Sequence, residues 1–352
     1  MGSSELTILE TALEKAKNLP LVEGMSKDAN YYRKKAKADN TYRSYRSALK
    51  DFVKWSGIDM PLPTTSTVVL AYLEAKAQST PQPAPSTLYH RIAALRYAQL
   101  ILGYADPADS KPVREFLSGY NKDRVECDGW KAKKAPALEL GELIQLVASF
   151  ENDLRGIRDK AMVLVAVVGS FRENELTSLK VEQISHQTDK DIVFDMGGIK
   201  HDSTNKKGNT KVLCAWPGPL NPITALNEWI RESGIESGYI FRSITRWGEV
   251  VDNVDKEGSI KPMSHNTANK IIKQAAERAG LKDYNQYTVH SLRATFVTLA
   301  RDMGIPDNKI IRQTNHKSEL TLPVYDRPKD AVKHSPAVEL GEVIRELINT
   351  DT

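Results

Sequence analysis

Five polar side chains in the second half of the chain are of the types that phosphoryl transfer requires. Arg172 lies in Gly-Ser-Phe-Arg-Glu-Asn-Glu-Leu, where one predicted helix ends and another begins. His290 and Arg293 form His-Ser-Leu-Arg at the start of a predicted helix, and their spacing of three places both on one helical face. His316 lies in Thr-Asn-His-Lys, and Tyr325 follows nine residues later in Leu-Pro-Val-Tyr-Asp-Arg-Pro.

Together, these residue types could cleave a phosphodiester without a metal ion or an energy-rich cofactor. A phenol can attack phosphorus, cations can hold the charge that develops on the phosphoryl oxygens, and an acid can protonate the leaving oxygen. Arginine suits the second role because its planar guanidinium binds two phosphate oxygens and keeps its charge. Each motif alone carries little weight, since the chain has 7 histidines and 13 tyrosines. The ordered set is what predicts the chemistry.

The order Arg, Lys, His-x-x-Arg, His, Tyr resembles the catalytic signature of the tyrosine recombinase (phage integrase) family, with a spacing similar to its Cre-like members. Residues 138–330 carry these motifs, whereas the first half resembles the family's DNA-binding core domain in helical character only. The resemblance implies a site-specific DNA recombinase that cleaves and religates DNA through a covalent 3′-phosphotyrosyl intermediate. It also implies that no cofactor is needed, because the tyrosyl bond keeps the phosphodiester energy.

The same resemblance implies a role for each motif residue. Arg172 and Arg293 would hold the scissile phosphate and stabilise its pentacoordinate transition state. His290 would assist proton transfer or donate to a phosphoryl oxygen. His316 would contact the phosphate or orient the nucleophile, which would be Tyr325.

Two supporting positions also follow from the resemblance. Glu175, one helical turn after Arg172, matches a family acid that supports the site, although it could be an ordinary surface acid. The family's general acid is a lysine in a turn between two strands, and Lys200 is the favoured candidate here. Lys207 is its rival and Lys206 the third choice, unless this basic turn has no catalytic role.

The elements that must position these residues begin with a predicted bundle of helices joined by short Pro- and Gly-containing loops. Asn40 is predicted to cap the first helix and Gly57 to end it, while Ser86 is predicted to cap the third. The predicted helices of the first half are Thr41–Trp55, Val68–Ala77, Ser86–Leu102 and Lys111–Arg124.

The second half mixes helices with two predicted strands, Ile192–Phe194 and Lys211–Trp216, joined by a charged turn. We therefore predict a mainly α protein. Its domains would be a helical DNA-binding domain over residues 1–125, a linker over 126–136, and an α+β catalytic domain with a small antiparallel sheet over 137–352. The resemblance implies that the two domains form a C-shaped clamp on DNA. The predicted helices of the second half are Leu138–Phe150, Arg158–Val168, Ile223–Ser233, Asn266–Ala279, His290–Met303, Pro306–Gln313 and Ala337–Ile348.

Basic residues are concentrated where the first helix is predicted. The whole chain has a net charge of only +4, but the segment from Arg33 to Lys54 has eight Lys/Arg against two acids. Such a density suits a DNA backbone, because bound cations release condensed counterions. Arg43, Arg46 and Lys50 are the candidate DNA-binding residues. A solvated helix face is the alternative.

Composition excludes several other classes of protein. The only cysteines are Cys127 and Cys214, too few for a disulfide framework or a cysteine-based zinc site, and their number is typical of a reducing cytoplasm. No apolar run reaches the roughly 18 residues of a membrane span. Met1–Glu10 has no basic region typical of a secretory signal. We expect a cytoplasmic protein, associated with the nucleoid of a prokaryotic or phage-infected cell.

The last predicted helix, Ala337–Ile348, has an apolar stripe that could form a local lid or dock on a neighbouring protomer. The resemblance implies docking between subunits, and hence a homotetramer on two double-stranded DNA sites that is a monomer off DNA. Two other functions stay open: a type IB topoisomerase-like enzyme that nicks and relaxes DNA, and a non-catalytic DNA-binding protein. The sequence does not identify the target site.

Overall fold

The computed structural model describes residues 39–58, 61–130, 134–197 and 209–315. Two compact units divide the chain, Met1–Lys133 and Lys134–Thr352, and each is described by itself. The boundary between them lies inside the segment predicted as a linker. Several predicted features fall outside the described residues, namely Lys200, Lys206, Lys207, His316, Tyr325 and the helix Ala337–Ile348.

The described part of the first unit is a bundle of helices, as predicted. Its α1 ends at Gly57, whose φ of +66° is readily adopted only by glycine. Two predicted caps are wrong. Asn40 lies inside α1, and α3 begins at Pro85 because proline at the first helical position has a suitable fixed φ and lacks the N–H that would need a partner. The helices are α1 Asp39–Ser56, α2 Ser66–Ala77, α3 Pro85–Ile101 and α4 Lys111–Glu126.

The bundle core is apolar, and two polar groups tie its elements together. Phe52 and Tyr72 pack edge to face, with ring centroids 5.0 Å apart. The buried Gln99 accepts from the Thr64 N–H at 2.9 Å and donates to the Thr64 carbonyl at 2.9 Å, which fixes the start of α2 against α3. Asp51 accepts hydrogen bonds from the Tyr72 hydroxyl at 2.6 Å and from Lys76 at 3.0 Å, linking α1 to α2.

The second unit begins with three helices and then forms a three-stranded antiparallel sheet of order β1-β2-β3. In the central pairing, Asp191 lies opposite Cys214 and Asp195 opposite Thr210. The elements of this first part are α5 Leu140–Ala148, α6 Leu154–Val168, α7 Glu173–Thr177, β1 Ile184–Gln187, β2 Asp191–Asp195 and β3 Thr210–Cys214.

Further helices and two small strand pairs complete the described part of the second unit. The pairs are β4 with β5 and β6 with β7, both antiparallel. The elements of this second part are α8 Pro222–Ser233, β4 Ser243–Ile244, β5 Val250–Val251, β6 Asn253–Val254, β7 Ile260–Lys261, α9 His265–Arg278, α10 Val289–Asp302 and α11 Asp307–Thr314.

Helix α6 is the central element of this unit. Every residue of 161–168 is buried, because α8 and α10 pack against it and the sheet covers its end. A helix that is apolar on all sides is suited to such a position. On α8, the indole N–H of Trp229 donates to the Ile240 carbonyl at 2.8 Å, so that this large side chain is buried without an unpaired polar group.

The predicted fold class, mainly α with a small antiparallel sheet, is confirmed. Strands β1 and β4–β7 were not predicted, because β1 exposes three of its four residues and the others have two residues each. Such short or polar strands have no apolar alternation that could indicate them. No helix within the described ranges is long and apolar enough to cross a membrane.

Candidate active site

The site begins at the end of α6, where the chain reverses direction. Ser170 has a φ of +46°, in the left-handed region that non-glycine residues rarely adopt. The Ser170 N–H donates to the Val167 carbonyl at 3.0 Å, and the Phe171 N–H donates to the Ala166 carbonyl at 3.2 Å. This turn leaves the Ser170 carbonyl oxygen available to side chains, and strained backbone of this kind is concentrated at functional sites.

Arg172 follows this turn and is held by Glu175, one turn along α7. The Arg172 N–H donates to Glu175 Oε2 at 2.8 Å, and Nη1 of the same arginine donates to Oε1 at 2.9 Å. Burial opposes ionisation of Glu175, but the Lys211 charge and the hydrogen bonds from Arg172 hold its pKa below the usual value. Glu175 is therefore a carboxylate that orients Arg172 and not a free surface acid.

Arg293 lies on α10 and is 1% exposed. Its Nη1 donates to the Ser170 carbonyl and its Nη2 to the Thr314 carbonyl, both at 2.6 Å. Both terminal nitrogens of the planar fork thus join the end of α6 to the end of α11.

His290 lies in the first turn of α10, as predicted, and is exposed. Loss of hydration around its ring, together with the charges of Arg293 and Arg172, lowers its pKa. The start of α10 is fixed by Asn269 on α9, whose Oδ1 accepts from the Val289 N–H at 3.0 Å. His290 is therefore held beside the two arginines, whose charges disfavour the imidazolium form.

Lys211 is a fourth basic residue in this cluster and is fully buried. Its Nζ donates to the Gln313 carbonyl at 2.6 Å and to the Ser170 carbonyl at 3.1 Å, and it lies 5.7 Å from the centroid of the Phe171 ring. Burial is the main cause that lowers the pKa of Lys211 to about 7, and the Arg293 and Arg172 charges act in the same direction.

The C-terminal end of α11 brings these cations together. Three successive carbonyls, those of Gln313, Thr314 and Asn315, accept hydrogen bonds from Lys211, Arg293 and Arg172, respectively; the bond to Arg172 Nη2 is 2.8 Å. The last carbonyls of a helix have no intrahelical partner, and the helix dipole makes this end negative. The end of α11 is therefore a natural acceptor for cations.

The cluster has more positive than negative charge. Arg172 and Arg293 contribute two positive charges, and Lys211 adds a third when it is protonated, whereas Glu175 is the carboxylate that faces Lys211. Buried charges are normally balanced, so an excess of positive charge here is suited to an anion such as a phosphodiester. Within the described ranges, no group of His, Cys, Asp or Glu side chains could hold a metal ion.

Of the residues predicted from the sequence, the structure brings together Arg172, Glu175, His290 and Arg293. His316 directly follows Asn315, whose carbonyl binds Arg172. The catalytic roles of these residues, and those of Lys200 and Tyr325, remain predictions.

Sequence reasoning missed Lys211. Burial alternates along β3, so Lys211 and Leu213 face the core while Val212 lies on the outer face. A lysine two residues from an inward leucine could have indicated an inward-facing cation. That signal was obscured because Val212, on the outer face, is also apolar. The residues after Lys211 therefore show no alternation of polar and apolar types.

The candidate DNA-binding residues lie on one helix of the first unit. Arg43 and Lys50 are exposed, and Arg46 is half-buried. A spacing of seven places Arg43 and Lys50 on the same face of α1. Asp51, an acid of the same segment, is engaged by Lys76 at 2.9 Å and by Arg91 at 3.3 Å. Two cations from other helices thus neutralise Asp51, so this acid does not offset the charges of Arg43, Arg46 and Lys50.

Comparisons with known proteins place this chain in a family. The model of the phage integrase family matches residues 137–331, more than half of the chain. An integrase/recombinase XerD homologue from Selenomonas ruminantium is 28% identical over 311 residues, which cover 86% of each chain.

Solved structures share the fold. The XerH recombinase in a post-cleavage complex with its difH substrate has a TM-score of 0.58 at 14% identity, covering 97% of this chain and 96% of that one. A λ integrase tetramer bound to a Holliday junction has a TM-score of 0.53 at 16% identity, covering 91% of this chain and 77% of that one.

The family model and the relatives identify a DNA strand-breaking and rejoining enzyme. The chain belongs to the phage integrase family, the tyrosine recombinases of site-specific recombination. The resemblance predicted from its motifs is thereby confirmed.

Proposed function

We propose that this chain exchanges DNA strands between two target sites, with Tyr325 as the nucleophile that forms a 3′-phosphotyrosyl bond. The main support for this proposal is the cation cluster. Lys211, Arg293 and Arg172 donate hydrogen bonds to three successive carbonyls at the end of α11. Because His316 is the next residue along the chain, the segment that leads to the nucleophile starts from the phosphate-binding cations.

The roles of the described residues follow from their geometry. Arg172 has a side chain that is 42% exposed and is oriented by Glu175, so it can bind a phosphoryl oxygen from the solvent side. Arg293 holds the site together and adds its charge to the pentacoordinate transition state. His290, whose pKa is lowered by burial and by the neighbouring arginines, can donate to a phosphoryl oxygen. His316 would complete the set of phosphate contacts.

The leaving 5′ oxygen needs a proton, and Lys200 is the proposed source. In the sequence it lies between β2 and β3, as does its rival Lys207. The start of β3 is fixed to the cation cluster through Lys211, which supports a placement of this turn near the reacting phosphate. Cleavage and rejoining by these groups require neither a metal ion nor a cofactor.

Binding of double-stranded DNA is proposed to involve α1. Arg43, Arg46 and Lys50 would contact backbone phosphates, which position a protein on DNA without reading its sequence. With the catalytic domain on the second unit, both units would contact the DNA. Such a substrate would place the protein at the nucleoid of a prokaryotic or phage-infected cell.

The proposed assembly is a homotetramer on two DNA sites and a monomer off DNA. The second unit has an apolar groove of about 880 Å³ that includes Leu140, Ile144, Leu299 and Met303. We propose that it receives the apolar stripe of Ala337–Ile348 from a neighbouring copy, because a cyclic set of such contacts closes into a ring. The λ integrase tetramer on a Holliday junction supports this assembly.

The catalytic proposal is tested by trapping the covalent intermediate. A target duplex is first selected from random DNA by its binding to the protein and is then nicked near the cleavage site, so that religation is prevented. Wild-type protein should form a protein–DNA adduct in EDTA, Tyr325→Phe should form none, and Tyr284→Phe, at an exposed tyrosine, should behave as wild type. Equal adduct formation by Tyr325→Phe and wild type would refute the assignment of Tyr325 as the nucleophile.

The assembly proposal has its own test. Met303 is 67% exposed in the groove, and Val254 is 58% exposed outside it. Met303→Glu should abolish four-protomer complexes on two-site DNA and strand exchange while one-site binding persists, whereas Val254→Glu should leave both unchanged. Four-protomer complexes of Met303→Glu at the wild-type level would contradict docking in the groove.

The alternative, a type IB topoisomerase-like enzyme, makes a different prediction. Efficient relaxation of supercoiled plasmid without a target site would favour it, and relaxation limited to plasmids with the selected target would favour recombination.

A further inference from the structure

Lys211 takes part in the cation cluster although it belongs to none of the motifs that identify the family in this chain. Its Nζ bonds to the carbonyls of Ser170 and Gln313, so it joins the end of α6 to the end of α11 from the strand β3. The Gln313 side chain makes the same connection, since its Nε2 donates to the Val168 and Val212 carbonyls at 2.8 and 2.7 Å. Strand β3, the end of α6 and the end of α11 are therefore joined around Gln313.

We propose that Lys211 is a positioning residue for DNA cleavage: its ammonium holds the Ser170 and Gln313 carbonyls in place, so that Arg172 can bind the scissile phosphate and the buried Arg293 can add its charge. This inference rests on the proposed function. Because Lys211 is fully buried, it acts through the arginines and not by contact with the DNA.

The geometry explains why a cation is needed at this position. The carbonyls of Ser170, Gln313, Thr314 and Asn315 all take part in the cluster, and oriented carbonyl dipoles repel one another unless donors lie between them. The Ser170 oxygen receives both Lys211 and Arg293. Loss of the ammonium would leave the Gln313 carbonyl without this buried donor and would allow the end of α11, and with it the contacts of both arginines, to shift.

The same geometry couples Lys211 to the substrate. The charged groups that face it are Glu175 on α7, Arg293 on α10 and Arg172 at the start of α7, with His290 beyond Arg293. Without DNA, the pKa of Lys211 is lowered to about 7. A phosphodiester placed next to the arginines adds a negative charge and raises this pKa, so DNA binding should take up protons above pH 7. The phosphate also acts on His290, whose pKa is lowered in the absence of DNA, so the uptake that belongs to Lys211 is identified by comparison with Lys211→Arg.

The first test compares variants of Lys211 in the full-length protein. Lys211→Met removes the charge, Lys211→Arg keeps it, and Lys190→Met removes an exposed lysine before β2 as the matched control. Adduct formation on the nicked duplex should be about 100-fold slower in Lys211→Met, with affinity for intact duplex within about threefold of wild type. Lys211→Arg should recover most of the rate, and Lys190→Met should match wild type.

The second test does not require the uncharged variant to fold. Proton uptake on binding intact duplex is measured at pH 7.5 by calorimetry in buffers of different ionisation enthalpy, with Tyr325→Phe protein to prevent cleavage. Net uptake is expected, and it should decrease in the double variant Lys211→Arg, Tyr325→Phe, because arginine stays charged at this pH.

The outcomes separate this inference from the proposed function. Wild-type rates in Lys211→Met, or equal losses of rate and thermal stability in the Met and Arg variants, would overturn the positioning role while the recombinase stands. Absence of proton uptake by the Tyr325→Phe protein would likewise overturn the inference about Lys211 and leave the recombinase function standing. A wild-type protein that forms no adduct on its selected target would instead overturn the proposed function.

Discussion

Lys211 and Arg293 donate hydrogen bonds to the same oxygen, the carbonyl of Ser170, at 3.1 and 2.6 Å. Two buried like charges repel strongly when little water lies between them. Their proximity is tolerated because the Glu175 carboxylate and the negative end of the α11 dipole offset this repulsion. A bound phosphate would relieve the remaining repulsion, so the arrangement favours the DNA-bound state.

Removal of the exposed arginine should impair the reaction and leave the fold intact. In Arg172→Ala, adduct formation should be about 100-fold slower, because one of the groups that stabilise the transition-state charge is lost. Its ion pair with Glu175 is partly exposed, with 42% and 21% of the side chains accessible, so thermal stability should change little. Rates are measured in single turnover on the nicked duplex.

The matched control for this change is Arg231→Ala, which removes an arginine that is 73% exposed and paired with Glu232. It should cleave at the wild-type rate. Arg172→Ala cleaving as fast as Arg231→Ala would exclude Arg172 from the phosphate site.

The DNA-binding role of α1 predicts a change in salt dependence. Each phosphate contact contributes about 0.9 to the slope of log affinity against log salt concentration. Arg43→Gln with Lys50→Gln should therefore weaken binding at every sequence and lower the slope by nearly two. The slope is measured by fluorescence anisotropy over a series of NaCl concentrations.

Lys111→Gln serves as the control for α1, since Lys111 is exposed on α4 and paired with Glu115. Its slope should equal that of wild type. If the double variant on α1 also kept the wild-type slope, α1 would not contact the DNA backbone.

The close packing of the turn at the end of α6 predicts that substitution of its glycine, Gly169, destabilises the protein. A Cβ on Gly169 would lie 2.1 Å from the Phe171 ring and 2.9 Å from the Val165 carbonyl. Because Phe171 is fully buried and cannot move aside, Gly169→Ala should lower the free energy of unfolding by about 1–3 kcal/mol. Thermal unfolding measures this loss.

Gly141→Ala is the matched control in the same unit, because a Cβ on Gly141 in α5 meets nothing within 4 Å. It should be neutral or stabilise by up to about 1 kcal/mol, since alanine favours helix. A stability of Gly169→Ala equal to that of Gly141→Ala would contradict the close packing of this turn.

The link between α1 and α2 predicts a pH-dependent contribution to stability. Burial opposes the charge of Asp51, but hydrogen bonds from Tyr72 and Lys76 and the charge of Arg91 hold its pKa below the usual value. Asp51→Asn should destabilise the protein by about 2 kcal/mol at pH 7. A lowered folded-state pKa contributes stability above the unfolded pKa near 3.8, and this contribution is lost as the pH falls through the folded value.

The difference between wild type and Asp51→Asn should therefore be constant from pH 5 to 7 and decrease below about pH 4, measured by urea unfolding. Asp109→Asn, which removes an exposed partner of Arg114, should show only a small difference throughout. A difference for Asp51→Asn that does not change with pH would show that the charge of Asp51 is not what stabilises the contact.

The helices of both units could be predicted from the sequence, because their apolar periodicity and their Pro and Gly boundaries are local properties. The first helix was predicted as Thr41–Trp55 and is observed as Asp39–Ser56, with Gly57 after it. Errors lay at the helix ends: Asn40 is not a cap, and the helix predicted to begin at Arg158 begins at Leu154, since a helix start depends on where the preceding chain turns. The short strands β4–β7 were missed because pairing, and not local sequence, defines them.

The sequence by itself determined the residue types of the chemistry and the helices that carry them, since Arg172, His290 and Arg293 stand in recognisable local motifs. Only the tertiary structure decided how they meet. Lys211 could not be assigned to the site from its strand, because its burial depends on which face of β3 packs against α6 and α11. Likewise, the acceptors that gather the cations are backbone carbonyls, which every residue has and which become a binding surface only where a helix ends.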